Sequence, residues 1–241
     1  MTITPDTFVA DVATGSPASV KVFQRYGIDF CCGGRRPLRT ASETAGVPLD
    51  RLIGDLEAAA SAGDRPAVDW TVAPLTDLVR HISETYHAPQ AAELMRLEDL
   101  LARVERAHSD RWPDLVLSLG RVVRSLASEL LLHTDEEEDR LFPAIVALES
   151  RNRIALRGRS LDRFLEQLED EHVSVGRLLE RLHALTGGFV PPEGACPTFQ
   201  ALYHGLEELT ATLKQHVHLE NYILFPRASA LGRARADAEE A

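Results

Sequence analysis

The chain has 241 residues, enough for one sizeable domain and one small one, and its composition is that of a globular protein with few aromatic residues. Its formal net charge of −11 argues against nucleic acid as a partner, because phosphate groups require a basic surface. No apolar run reaches the roughly 18 residues of a membrane span, and the N-terminus lacks the pattern of a secretory signal. Three cysteines, two of them adjacent, do not make a disulfide framework, so we expect a cytoplasmic protein.

Residues 1–62 predict a small domain of short helices. Apolar residues recur at helical spacing in four segments, and three of these have proline near the start, where its missing N–H is harmless. A domain of this size buries little apolar surface, and we expect it to pack on another part of the chain. The four helices are predicted at residues 6–12, 17–26, 37–45 and 48–60.

A cysteine-containing loop lies in the middle of this small domain. Residues 29–36, which we call the cysteine loop, read Asp-Phe-Cys-Cys-Gly-Gly-Arg-Arg. A bond between the adjacent Cys31 and Cys32 would be strained and easily reduced, and the neighbouring Arg35 and Arg36 would favour thiolate over thiol. This pattern indicates a redox or transfer role, although two small buried residues beside a turn would explain it structurally.

A linker and four long amphipathic helices are predicted next. Residues 63–73 read as the linker, and turn or loop signals separate the helices at residues 150–159 and 187–192. Four helices of this length predict an up-down bundle over residues 74–230, followed by a tail at residues 231–241, so that the whole chain is all-α. The bundle helices are expected at residues 74–107, 113–148, 160–186 and 197–227.

One ligand-bearing pattern occurs twice. The sequence His-x3-Glu-x3-Leu-Phe-Pro spans residues 133–143, the first motif, and residues 216–226, the second motif. Residues i and i+4 lie on the same helix face, and on a helical wheel both pairs point towards the apolar side. Buried imidazole and carboxylate groups cost several kcal/mol each unless they are paired or bind a metal. A simple hydrogen bond could explain one pair, but the duplication favours metal binding.

The other two helices each offer a candidate histidine. On the first, His87 lies at the edge of the apolar stripe, whereas His81 lies on the far side and His108 is a candidate helix cap. Pro89, two residues after His87, predicts a local kink of this helix. On the third, His172 lies close to mid-helix, and His183 is about 16 Å further along and too far away to share a site. On the fourth, His204 and His218 point away from the apolar face, so we expect both at the surface.

The resulting donor set predicts two metal ions. Six nitrogen and oxygen ligands without a thiolate exceed the four that a structural zinc prefers. They suit two ions bridged by two carboxylates, with positions left open for exogenous ligands; iron or manganese is expected, and redox chemistry favours iron. The predicted ligands are His87, His133, Glu137, His172, His216 and Glu220.

With these residues in place, the chain resembles the Ric family (YtfE/ScdA type) of di-iron iron–sulfur cluster repair proteins over nearly its whole length. The Tyr-Gly-Ile-Asp-Phe-Cys-Cys-Gly-Gly stretch of residues 26–34 is similar to the family's ScdA-like N-terminal domain. The stretches that resemble its hemerythrin-like domain are residues 86–87, 133–143, 171–172, 191–196 and 216–227.

The resemblance implies an oxo- and carboxylate-bridged pair of iron ions, with the four histidines as terminal ligands and Glu137 and Glu220 as bridges. Gly176 stands where classical hemerythrins have a further histidine, which leaves the site more open. Glu129 and Glu171 are candidates for a path for iron or protons, or for hydrogen bonds to a ligating imidazole, and solvated helix carboxylates are the simpler alternative. Cys196 is a candidate loop residue.

The resemblance also implies a stress-response function: repair of clusters damaged by oxidative or nitrosative stress, through iron donation, nitric oxide handling, or both. Damaged iron–sulfur proteins are then the clients, and nitric oxide or oxygen the small ligands, with Cys31 and Cys32 in handover or redox coupling. Two alternatives use the same ligands: enzymatic reduction of nitric oxide, and a hemerythrin-like sensor of oxygen or nitric oxide. A homodimer is compatible with the sequence, which leaves the oligomeric state open.

Overall fold

The protein is all-α in the part of the chain that the computed structural model describes, which is residues 2–62, 68–150 and 161–240. Within these ranges there is no β-strand, and a single antiparallel bridge joins Phe8 to Pro37. Among the same residues, no helix combines the length and the apolar character required to cross a membrane. The following predicted residues lie outside the described part of the chain: 63–67 of the linker, 151–159 of the loop between the second and third bundle helices, 160 of the third bundle helix and 241 of the tail.

Four short helices form the N-terminal part of the chain. Each predicted helix is present, and each begins one to three residues later than expected, since the prolines and preceding residues stay extended or in turns. The third of these helices is followed by Gly46, whose φ of 65° is the left-handed conformation that glycine adopts without strain. The bounds are α1 Val9–Gly15, α2 Ser19–Arg25, α3 Leu38–Ala45 and α4 Leu49–Ala62.

The longer helices follow in the predicted order, but three of the four are interrupted by a π-helical turn of five residues. The C-terminal segment predicted as a tail is helical as far as Glu240. The helices are α5 Leu75–Ile82, α6 Ala88–His108, α7 Pro113–Glu136, α8 Phe142–Glu149, α9 Leu161–Leu185, α10 Pro197–Leu219 and α11 Phe225–Glu240. The first, second and third π-helical turns are Ser83–His87, Glu137–Leu141 and Glu220–Leu224.

Each π-helical turn lies two residues before a proline. Pro89, Pro143 and Pro226 have no N–H to donate to the carbonyl four residues earlier, so the helix locally closes wider hydrogen-bonded rings instead. The kink predicted near His87 from Pro89 thus takes the form of a π-helical turn. The Phe-Pro pairs at the end of both motifs act in the same way, which the sequence analysis did not anticipate.

Residues 79–213 form one compact unit, the helical bundle. Its core is built from the apolar faces of α6, α7, α9 and α10, which confirms the four-helix bundle. Leucine dominates this core, as expected for helices with an i, i+3, i+4 apolar pattern. Fully buried members include Leu97, Leu101, Leu119, Leu126, Leu182 and Leu206.

Residues 1–78 and 214–241 form the other compact unit. Its core holds the apolar residues of the four short helices and, from the end of α10, Val217. The Phe23 and Phe30 rings stack at the centre of this core, with their centroids 6.3 Å apart. Helices too short to form a core alone thereby gain apolar contacts from the C-terminal segment.

Candidate metal centre

Four of the six predicted ligands lie together inside the bundle unit. Glu137 is fully buried, and its Oε2 lies 3.5 Å from His87 Nε2 and 3.4 Å from His133 Nε2. The Nε2 atoms of His133 and His172 are 2.9 Å apart. One ligand atom from each of His133, Glu137 and His172 lies within 4.8 Å of the others, so three helical segments present donors to one small volume.

The π-helical turns set the positions of these side chains. His87 is the last residue of the first π-helical turn, and Glu137 is the first residue of the second. His133 occupies the last turn of α7, one α-helical turn before Glu137, so both side chains leave the same face. His172 lies in the middle of α9. Single π-helical turns of this kind occur frequently at functional sites.

Two of the imidazole rings use Nε2 to face the cluster and donate a hydrogen bond from Nδ1 to a carboxylate outside it. Glu171 accepts a hydrogen bond of 2.8 Å from His133 Nδ1, and this bond is the main reason that the pKa of Glu171 is lowered. Glu138 accepts one of 2.6 Å from His87 Nδ1. A proton held at Nδ1 leaves the lone pair of Nε2 facing Glu137. Sequence reasoning missed Glu138, because the carboxylate beside a ligand points towards a different helix.

The second motif contributes the other two predicted ligands, in the unit of residues 1–78 and 214–241. His216 Nε2 lies 2.8 Å from Glu220 Oε1, and the two side chains are 2% and 0% exposed. His216 belongs to the last turn of α10, and Glu220 is the first residue of the third π-helical turn, as Glu137 is of the second. The two motifs therefore have the same local conformation around their His–Glu pairs.

The prediction that His218 lies at the surface is wrong. The residue is buried, its Nδ1 donates a hydrogen bond to the Phe30 carbonyl at 3.2 Å, and its Nε2 lies 3.3 Å from the Thr14 hydroxyl. Burial lowers the pKa of His218 to about 4. The helical wheel allowed for one apolar face, whereas this end of α10 also packs on the short helices. The prediction that His204 is exposed is confirmed, with 70% of its side chain accessible.

A single carboxylate organises the cysteine loop. Asp29 accepts hydrogen bonds from the backbone N–H groups of Cys31, Cys32 and Gly33, at 2.7 to 3.0 Å. Burial works to raise the pKa of Asp29, but these bonds together lower it. Asp29, Cys31 and Cys32 also bring one oxygen and two sulfur atoms within 4.8 Å of one another.

Cys31 is a buried thiol. Its Sγ lies 3.4 Å from Cys32 Sγ and 3.3 Å from an Asp29 carboxylate oxygen. The hydrogen bond with Cys32 and burial raise the pKa of Cys31 well above that of an ordinary thiol. The expectation that the adjacent arginines favour the thiolate is therefore wrong for Cys31, since the hydrogen bond with Cys32 and burial outweigh them, and the Asp29 carboxylate adds to the effect.

The second motif holds the backbone of the cysteine loop. Asn221 donates a 2.9 Å hydrogen bond to the Cys31 carbonyl, and the Tyr222 hydroxyl accepts one from the Gly34 N–H. Only glycine fits at position 34, because a Cβ there would lie 2.7 Å from the Phe30 carbonyl oxygen and 2.9 Å from the Tyr222 hydroxyl. Asn221 and Tyr222 lie three and four residues after His218, so both are its neighbours on the helix surface.

The remaining candidates lie elsewhere. Glu129 is half-buried and accepts a hydrogen bond from the Ser174 hydroxyl at 3.0 Å. His183 packs against Phe189. His108 is the last residue of α6 and Cys196 lies in the loop before α10, and the two contact each other, with 3.1 Å between Nε2 and Sγ.

Two known families match successive parts of the chain. Residues 5–60 match ScdA_N, a "Domain of Unknown function (DUF542)". Residues 79–228 match the "Hemerythrin HHE cation binding domain", which covers more than half of the chain and includes both motifs. The buried histidine and glutamate cluster is therefore part of a hemerythrin-like, cation-binding domain.

Similar proteins share almost the full length of the chain. The chain is 36% identical over 223 residues to "Iron-sulfur cluster repair protein YtfE" of Pectobacterium atrosepticum, covering 92% of this chain and 96% of that protein. It is 31% identical over 230 residues to "Iron-sulfur cluster repair protein ScdA" of Staphylococcus haemolyticus, covering 94% and 100%. With a hemerythrin domain behind an ScdA-type N-terminal domain and identities of this extent, the chain belongs to the YtfE/ScdA family.

Proposed function

We propose that the protein holds two iron ions and repairs iron–sulfur clusters damaged by oxidative or nitrosative stress, by giving iron to the damaged cluster. The buried convergence of His87, His133, Glu137 and His172 carries the proposal, because imidazole and carboxylate donors at such distances are costly to bury without a cation. The relatives' name, iron–sulfur cluster repair protein, supports the choice of client.

In this proposal the second motif completes the donor set. The hemerythrin match spans residues 79–228, and this continuous extent supports one centre that draws on both motifs. Each motif supplies one imidazole and one fully buried carboxylate. The four histidines are terminal ligands and the two glutamates bridge the ions, so that the set is His87, His133, Glu137, His172, His216 and Glu220.

The donor chemistry suits iron better than a structural zinc. The donors are nitrogen and oxygen atoms only, and none of the three cysteines, all within the described residues, belongs to the group. The Glu137 carboxylate lies between the imidazoles of His87 and His133, which supports a bridging role. The hydrogen bonds from Nδ1 of both rings to outer carboxylates leave Nε2 available, which supports Nε2 as the ligand atom.

The protein's own residues would keep the ions accessible to exchange and shielded from bulk water. Carboxylate-rich sites hold ferrous iron less tightly than thiolate cages do, which suits donation. The cluster side chains are at most 5% exposed, so bulk water is largely kept out. When bound, ferrous ions would supply open coordination positions and electrons for small ligands such as nitric oxide or oxygen.

Cys31 and Cys32 are proposed to act in handover or redox coupling, and damaged iron–sulfur proteins are the proposed clients. The two sulfur atoms are not joined by a disulfide and lie 3.4 Å apart, so a two-electron oxidation could join them. None of the three cysteines, all within the described residues, forms a disulfide, which supports a reducing compartment such as the cytoplasm.

Iron transfer is the decisive experiment. Anaerobically purified protein should contain about two irons per chain, and incubation with an apo-ferredoxin and a sulfide source should rebuild cluster absorbance. The control contains the same amount of free ferrous iron with a weak chelator. If the protein restores the absorbance no faster than this control, iron donation is wrong.

The same preparation separates the two alternatives. Reversible binding of nitric oxide without loss of iron would indicate a sensor. Many turnovers of nitric oxide with an added electron donor would indicate a reductase. Cluster restoration together with loss of iron from the protein supports the proposed function.

A further inference from the structure

A second reactive group lies in the bundle unit, away from every predicted ligand. Cys196 immediately precedes α10 (Pro197–Leu219), and its Sγ lies 3.1 Å from Nε2 of His108, the last residue of α6. Cys196 is partly exposed, so small reagents in solution can reach it. The group is therefore a thiol and imidazole pair, an arrangement that activates cysteine in many enzymes.

The start of α10 reinforces this activation. The backbone N–H groups of Thr198 and Phe199 donate hydrogen bonds to Cys196, which occupies the position of a helix cap. The partial positive charge of a helix N-terminus favours an anion there. The hydrogen bond with His108, followed by these backbone hydrogen bonds, lowers the pKa of Cys196 to about 7.

Aromatic and cationic neighbours hold the pair in place. The His108 ring lies 5.5 Å from the Phe199 ring in a stacked arrangement and 5.4 Å from the Trp112 ring. Arg111 donates hydrogen bonds to the carbonyls of Glu193 and Gly194, in the loop that leads to Cys196. Gly194 has a φ of 81°, and a Cβ there would come within 2.8 Å of the Arg111 guanidinium. Contacts that do not involve the thiol therefore position both the His108 imidazole and the loop.

We propose that Cys196 is a thiol-modification site that hydroperoxides oxidise to a sulfenic acid, with His108 as the residue that positions and protonates the reacting groups. The thiolate sulfur attacks one peroxide oxygen, and the O–O bond breaks as the S–O bond forms. Sulfur is oxidised by two electrons and the peroxide is reduced. The departing hydroxide, or alkoxide, takes the proton shared with His108 and leaves as water or an alcohol. A low-molecular-weight thiol then displaces water from the sulfenic acid and forms a mixed disulfide.

The chain contains its own reference for this reactivity. Cys31 is 2% exposed and its pKa is raised, whereas Cys196 is partly exposed and its pKa is lowered. Of these two thiols, the activated one therefore lies outside the Cys-Cys-Gly-Gly sequence. This activity is independent of the proposed iron donation, because neither Cys196 nor His108 belongs to the proposed ligand set.

The first test uses the wild-type chain and peptide-resolved mass spectrometry. The rate of Cys196 alkylation by iodoacetamide should rise with pH to a midpoint near 7, while Cys31 remains largely unmodified below pH 8. After exposure to hydrogen peroxide in the presence of dimedone, the dimedone adduct should accumulate first on the peptide that carries Cys196. A midpoint near the 8.5 of an ordinary thiol, or dimedone labelling no faster than that of an unfolded control peptide, would overturn the proposal.

The second test changes the imidazole. His108→Gln should raise the midpoint of the Cys196 alkylation profile by about one pH unit or more and lower the rate at pH 6 about fivefold. His183→Gln is the matched control. Like His108, His183 lies near a helix end and contacts a phenylalanine, but that residue is Phe189, away from the hydrogen bond between His108 and Cys196. It should leave the profile unchanged. An unchanged profile in His108→Gln would show that the imidazole does not act on the thiol.

Discussion

The two copies of the His-x3-Glu-x3-Leu-Phe-Pro motif are alike on one helix face and differ on the other. In both, the histidine and glutamate are buried, and the glutamate begins a π-helical turn. Five residues after the histidine, the first motif has Glu138, which binds the His87 ring, and the second has Asn221, which binds the Cys31 carbonyl. Both motifs thus place the histidine and the glutamate on one buried face, and the residue after the glutamate determines what the neighbouring face contacts.

The positions two and six residues after the histidine show the same difference. Asp135 and Asp139 of the first motif are exposed. Their counterparts in the second motif, His218 and Tyr222, contact Phe30 and Gly34 of the cysteine loop. An acidic outer face remains in solvent, whereas an uncharged one can pack on another element. His216 and Glu220, one proposed ligand pair, therefore each lie two residues before a side chain that contacts the cysteine loop.

The largest expected effect concerns the face that the motifs share. Glu137→Gln and Glu220→Gln should each reduce bound iron from about two ions per chain to one or fewer, because a neutral amide is a poor bridging ligand. Metal analysis of anaerobically purified variants measures this. Glu208→Gln is the matched control, since His204 and Glu208 form an exposed His-x3-Glu pair on α10. If either buried variant retains the iron content of the control, the two motifs are not equivalent in metal binding.

The second prediction separates the outer faces. Glu138→Ala should weaken iron binding about 10- to 100-fold, because it removes the acceptor that orients the His87 ring. Asn221→Ala occupies the matching position of the second motif and should leave iron affinity within about twofold, because Asn221 binds the Cys31 carbonyl. Competition with a ferrous chelator measures both affinities. Equal losses in the two variants would contradict the division of roles between the two outer faces.

The structural features that depend on helical periodicity could be predicted from the sequence. Helices, their order and the inward direction of His133 and Glu137 all follow from 3.6-residue spacing, and the structure agrees with them. The π-helical turns were partly readable, because each precedes a proline by two residues. A kink is predicted from the sequence at Pro89 only. At Pro143 and Pro226 the Leu-Phe-Pro segment is treated as part of the repeated motif, so that its effect on the helix is not predicted.

Tertiary contacts of polar residues were not predictable in the same way. A helical wheel gives the side of a helix on which His218 lies, but it does not tell whether another element covers that side. The absence of charge among Val217, His218, Asn221 and Tyr222 was the available signal. The thiol pKa values depend on three-dimensional neighbours too: the hydrogen bond with Cys32 and burial raise the pKa of Cys31, and a histidine 88 residues before Cys196 lowers the pKa of Cys196.

The third prediction concerns the attachment of the cysteine loop to the second motif. Asn221→Ala leaves the buried Cys31 carbonyl without its side-chain donor and should lower the free energy of unfolding by about 2 kcal/mol. Alkylation of Cys31 and Cys32 in the folded protein should become faster. Gln200→Ala is the control, because Gln200 donates a similar bond to the Ala195 carbonyl at an exposed site and should cost less than about 0.5 kcal/mol. Urea unfolding compares the two, and equal losses would mean that this attachment contributes no special stability.

The smallest expected effect tests whether the cysteine loop also depends on its own carboxylate. Asp29→Asn keeps the shape of the side chain but replaces a charged acceptor of three backbone N–H bonds, and we expect the free energy of unfolding to fall by about 1 kcal/mol at pH 7.

The pH dependence of this difference follows from the lowered pKa of Asp29 in the folded state. The stabilisation by Asp29 is complete above the ordinary pKa of aspartate and declines as pH falls through the lowered pKa. The difference between wild type and variant should therefore be constant from pH 7 to about 5 and shrink below about 4. Urea unfolding across this range measures it, with Asp69→Asn in an exposed turn as the control. A difference that persists undiminished at low pH would mean that the charge of Asp29 does not stabilise the loop, and that the second motif alone holds it.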